Sequence, residues 1–123
     1  MKLSFSRLPD LYSITKLAND APLPPWADGA GLVSITRADD ELSIVCPTDR
    51  APKNASHGWA ALRVDTLAAL DEPGVVMAAV TPISSAGHGV FVISTHLRDY
   101  LLVRNTDLAA VTVSLTDAGH TVV

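Results

Sequence analysis

Gly87-His-Gly-Val90 stands where an amphipathic helix hands over to an apolar strand, and a glycine joint of that kind places backbone N–H groups around a small ligand. Gly87, His88, Gly89 and Val90 are the expected donors to an acidic group. A few residues on, Ser94 and Thr95 end one strand and Asp99 opens the next. There a carboxylate that accepts from an ammonium group lies beside two hydroxyls that orient it. Ser34 and Thr36 form a matching pair in the first half of the chain, on one face of a strand because strand side chains alternate. Each candidate also has a plain structural role: Gly87 ends the helix, Gly89 permits a tight turn, Asp99 bonds local amides, and Ser34 and Thr36 decorate a solvated face.

Other chemistries fit the sequence worse. The four histidines, His57, His88, His96 and His120, include no i, i+4 pair on one helix and no carboxylates at ligand spacing, so no metal is expected. Gly87-His-Gly89 lacks the third glycine of a dinucleotide fingerprint and follows a helix, and no P-loop is present, so no nucleotide cofactor is expected. No Gly-x-Ser-x-Gly elbow and no arranged acid–base pair points to an enzyme. A net charge of −4, with nine Lys and Arg residues scattered singly, supplies no basic stripe for nucleic acid. Cys46 is the single cysteine, so no intrachain disulfide forms. With no run of 18 apolar residues and no signal-like start, a cytoplasmic protein without a membrane partner is expected.

The elements that position the candidates follow from periodicity. Leu3 to Ser6 and Leu11 to Leu17 alternate around Leu8-Pro9-Asp10 and read as an opening hairpin. The prolines after Ala21 allow one turn from Pro25 to Asp28, with Trp26 packing that connection onto the sheet. Gly31 to Thr36 and Glu41 to Cys46 form a second hairpin, and the polar run Pro47 to Gly58 marks a boundary between halves. The second half predicts strand Trp59 to Asp65, helix Pro73 to Ala86, strand Val90 to Thr95, strand Tyr100 to Arg104, helix Asp107 to Ala118 and strand Thr121 to Val123. That order is βαββαβ, a ferredoxin-like unit. Pro82 is expected to kink the first helix or open its last turn, Thr106 to cap the second, and Leu108, Val111, Leu115 and Ala118 to face the sheet.

Three segments resemble a known family. Ser34-Ile-Thr-Arg37 with Glu41 to Cys46, Gly58-Trp-Ala-Ala-Leu-Arg-Val64, and Ala86-Gly87 followed by Val90 to Thr95 and Asp99 to Val103 look like small ACT-domain proteins of the CASTOR type, akin to the regulatory domains of aspartate kinases. The resemblance implies an α+β fold of tandem ACT-like modules with antiparallel sheets: a strand-rich, degenerate subdomain over 1–57 and a complete ACT domain over 58–123. It implies a homodimer and a free amino acid or similar small metabolite held at the module interface, without catalysis. Such a ligand carries both an acidic and a basic group, which matches the candidate donors and acceptors above. His96, Leu97 and Arg98 depart from the family pattern. The second reading that follows is a ligand-free dimerisation or interaction module, in which Arg98 fills the pocket by pairing with Asp99 or a neighbouring carboxylate.

Overall fold

Alternation carries one unbroken strand, β1, from Ser4 to Leu17 in the computed structural model, which describes all 123 residues. The expected turn at Leu8-Pro9-Asp10 does not form. On one edge, Pro9 falls after the Arg7 N–H bond to the Val123 carbonyl (2.9 Å) and before the next ladder opens at Tyr12 opposite Pro47. Its missing N–H therefore costs no bond on that edge, and its fixed φ suits an extended chain.

The remaining elements are β2 (Ser34–Arg37), β3 (Leu42–Pro47), β4 (Ser56–Val64), α1 (Val75–Ser85), β5 (Phe91–Ser94), β6 (Asp99–Arg104), α2 (Leu108–Asp117) and β7 (Thr121–Val122). They fall into two units, Met1–Pro9 with Ala60–Val123 as unit one, and Asp10–Trp59 as unit two. The division expected between residues 57 and 58 thus differs at the front of the chain. The first nine residues join unit one because Ser4 and Phe5 pair in parallel with Thr121 and Val122.

In unit two, β3 pairs antiparallel with both the far end of β1 and β2. This unit carries 3₁₀ turns at Pro25–Ala27 and Thr48–Arg50 in place of α-helices. Ala27, Leu42 and Ile44 form its small core, with Trp26 packed against them as expected. The Arg50 guanidinium pins the proline-rich connection by donating to the Trp26 carbonyl at 3.2 Å and the Ala30 carbonyl at 2.8 Å.

Unit one contains the expected βαββαβ order and one addition, since the front of β1 lies between β7 and β4 in the strand order β7-β1-β4-β6-β5. Alternate residues Ala60, Leu62 and Val64 of β4, and Leu101 and Val103 of β6, meet Val75, Ala79 and Ile83 of α1 and Val111 and Leu115 of α2 in one core. Leu108 packs against that core, whereas Ala118 is exposed because α2 has ended by then. Pro73 stays outside α1, because Gly74 adopts φ +91° and the helix starts only at Val75. The expected cap at Thr106 is replaced by a 3₁₀ turn over Asn105–Asp107.

Both helices end in the same way. Gly87 donates its N–H to the Ser84 carbonyl (3.0 Å) and His88 to the Ile83 carbonyl (3.2 Å). Gly119 repeats this with Thr116 (3.0 Å) and His120 with Leu115 (3.0 Å). These are Schellman closures with a left-handed glycine, at φ +89° and +93°.

His120 then completes a second repair. Pro82 has no N–H to give the Ala78 carbonyl one turn earlier, and the buried His120 Nε2–H donates to that carbonyl at 3.0 Å. Its Nδ1 accepts the Leu3 N–H at 2.9 Å, so the two partners select the neutral Nε2–H tautomer. One ring thereby joins the entry to β1, α1 and the entry to β7.

Candidate functional site

Three segments of unit one frame an open groove of about 490 Å³. They are the connection Thr66–Glu72 after β4, the start of α1 from Gly74 to Met77, and the β5–β6 turn from Ser94 to Asp99. The volume lies in the range of small-molecule sites.

The helix wall follows from the glycine before it. Gly74 caps α1 without a side chain, and the ladder opens with the Ala78 N–H donating to the Gly74 carbonyl at 2.9 Å. The amides of Val75, Val76 and Met77 therefore precede the ladder, at the positive end of the helix dipole.

The turn wall is held by one hydroxyl. Thr95 Oγ1 donates to the Arg98 carbonyl (2.8 Å) and accepts the Arg98 N–H (3.2 Å), while the Thr95 N–H also donates to that carbonyl (2.9 Å). This fixes the backbone of Arg98, whose Nη1 lies 3.5 Å from Asp65 Oδ1. Asp65 also accepts from Arg63 Nε at 2.6 Å and from the Ser6 hydroxyl. Burial pushes the Asp65 carboxyl up, but the Ser6 and Arg63 hydrogen bonds and the Arg63 and Arg98 charges outweigh it and hold the group below its ordinary value.

A carboxylate with a lowered folded-state pKa adds stability above its unfolded value of about 3.9 and loses it as pH falls through the folded value. Urea midpoints measured from pH 6 down to pH 3 are expected to fall more steeply for the parent than for Asp65→Asn. Parallel curves would contradict this account of the Asp65 cluster.

The groove gathers only part of the expected set. Ser94, Thr95 and Asp99 line it. Gly87, His88, Gly89 and Val90 lie past the other end of α1, an 11-residue helix spanning about 16 Å. The Gly87 and His88 amides are not free donors, because the end of α1 uses both. The His88 ring instead stands 3.4 Å from Asp107, Nδ1 to Oδ2. Ser34 and Thr36 lie on β2 in unit two and are not among the groove residues. The first turn of α1 was not singled out from the sequence, although Pro73-Gly74 marks where a helix start is forced. Of the two partners expected for Arg98, Asp99 or a neighbouring carboxylate, the contact is with the latter, Asp65.

No group of three or more His, Cys, Asp or Glu side chains gathers at metal-binding spacing, and no helix is long and apolar enough to cross a membrane. Unit two holds a serine–histidine contact, Ser13 Oγ to His57 Nδ1 at 2.6 Å. Ser13 is fully buried and shares its hydroxyl with Thr48 at 2.9 Å, so the contact bridges strands and offers no open nucleophile.

The family model for the ACT domain matches residues 54–117, and a model of an N-terminal domain matches residues 10–54. The crystal structure of an Agobacterium tumefaciens protein is 42% identical, with all of this chain and 93% of that one covered and a TM-score of 0.94. A Vibrio cholerae protein of unknown function, described as a possible transport protein, is 14% identical over 95% of this chain and 90% of that one, with a TM-score of 0.74. The ligand-free regulatory subunit of aspartate kinase from Thermus thermophilus is 11% identical over 93% of this chain and 96% of that one, at 0.65. No curated protein matches the sequence.

Proposed function

The chain belongs to the ACT-domain family, and from that premise we propose that it is a non-catalytic regulatory module that binds a free amino acid in the groove of unit one. It does so as a cytoplasmic homodimer. The observation that carries the reading is the groove itself, where the uncapped start of α1 shares one space with Ser94, Thr95, Arg98 and Asp99. Amides and a guanidinium suit a carboxylate, and Asp99 suits an ammonium group. That a Thermus thermophilus protein of this fold is the regulatory subunit of an aspartate kinase supports the regulatory half of the reading. β5 ends the strand order of unit one, and an open edge of this kind favours pairing of two copies. Regulation then requires that the ligand bind two arrangements of the protein with unequal affinity.

Thermal unfolding of the full chain with each of the twenty amino acids at about 10 mM tests this reading. A ligand at a hundredfold over its Kd adds about 2.7 kcal/mol and raises Tm by on the order of 10 °C. One or a few selective stabilisers are expected; no shift with any of them would contradict amino-acid binding.

The contact of Arg98 with Asp65 favours a second reading, a ligand-free interaction module whose groove is filled by its own side chain. In that case Arg98→Thr gains amino-acid binding that the parent lacks.

A further inference from the structure

Resting on the amino-acid reading, we infer that the ligand is an α-amino acid with an uncharged, apolar side chain, and that Arg98 takes its carboxylate. Arg98 is the only Lys or Arg among the groove residues, while Glu72 and Asp99 supply two acids. The groove thus offers one full cation. For a second carboxylate the groove holds no second guanidinium or ammonium, only the partial charge of the α1 amides and the His96 ring, and sets Glu72 and Asp99 against it as like charges.

Arg98 is equipped for that single carboxylate. Its backbone is fixed by Thr95, its side chain is 17% exposed, and its contact with Asp65 at 3.5 Å is longer than an ordinary N–H···O bond. A guanidinium in that state keeps donors for a bidentate grip.

Beside the polar Thr66, Ser94, Thr95 and His96, much of the remaining lining is apolar, and part of it is uncovered. Leu70 is 71% exposed, Met77 65%, Leu97 54% and Val76 40%, and all four border the groove. Ala68 and Ala69 extend the same lining, over Val64 and Val75, which the core already buries. A ligand side chain that covers these groups gains in proportion to the apolar area removed from water. Lysine is the nearest rival, with Asp99 and Glu72 for its two ammonium groups. Glu72 is exposed, however, and exposed ion pairs contribute little.

Calorimetric titration of the full chain with leucine, methionine, lysine, aspartate and leucine amide tests the inference. Leucine or methionine is expected to bind at least tenfold tighter than lysine or aspartate. Leucine amide, which lacks the carboxylate, is expected to lose at least tenfold relative to leucine. Arg98→Gln is expected to weaken leucine binding at least tenfold, and Arg98→Lys, which keeps the charge without the fork, to fall between. Met77→Ser is expected to weaken the apolar ligands. Tighter binding of lysine or aspartate, or of leucine amide equal to leucine, overturns the inference and leaves amino-acid binding standing. Should none of the twenty amino acids bind, the reading beneath it falls as well.

Discussion

Replacing His120 by alanine is expected to destabilise the protein by about 3–5 kcal/mol and to lower Tm by on the order of 15 °C. Two backbone groups depend on this ring. The Leu3 N–H loses its acceptor and the Ala78 carbonyl its donor. Both losses occur in the core of unit one, where an unpaired polar group costs about 1–3 kcal/mol. The ring also packs edge-on against Phe5, with centroids 5.6 Å apart, so its removal opens a void beside a fully buried side chain. Thermal and urea unfolding monitored by circular dichroism measure the cost directly, and a loss under 1 kcal/mol would contradict the account. Pro82→Ala sharpens the test, because residue 82 then has an N–H to give the Ala78 carbonyl. In that background His120→Ala is expected to cost at least about 1 kcal/mol less than in the parent, a coupling that a double-mutant cycle isolates.

Leu115→Ala is the second large effect, about 2–5 kcal/mol, because Leu115 is fully buried in the core formed by the sheet and both helices of unit one. Two residues earlier, Val113 is 57% exposed on the other side of α2. Val113→Ala is expected to stay within about 0.5 kcal/mol. Equal losses at both positions would mean that α2 buries a different face.

That contrast indicates what the sequence made legible. The spacing of Leu108, Val111 and Leu115 is a local, periodic signal, and tertiary packing agrees with it, as it does for the βαββαβ order as a whole. Leu8-Pro9-Asp10 misleads for the opposite reason. Its residue types favour a turn, but ladders to strands far along the chain on either side of Pro9 hold the residues of β1 extended. The amides of Gly87 and His88 mislead in another way, since a helix end uses the nearest donors for its own carbonyls before any ligand does. The echo between Ile83-Ser-Ser-Ala-Gly-His88 and Leu115-Thr-Asp-Ala-Gly-His120 was present in the sequence as a sign of that closure. The groove was legible only in part. Ser94, Thr95 and Asp99 are short-range neighbours, whereas their meeting with the first turn of α1 depends on where two distant connections end on the sheet.

An amide-resolved NMR titration of the full chain with the best stabilising amino acid tests the central claim most directly. Saturable shifts are expected to concentrate on the amides of residues 68–77, Pro73 having none, and on those of residues 94–99. Shifts centred instead on residues 87–90 or 34–36, or no saturable shifts with any amino acid, would contradict a ligand site in this groove.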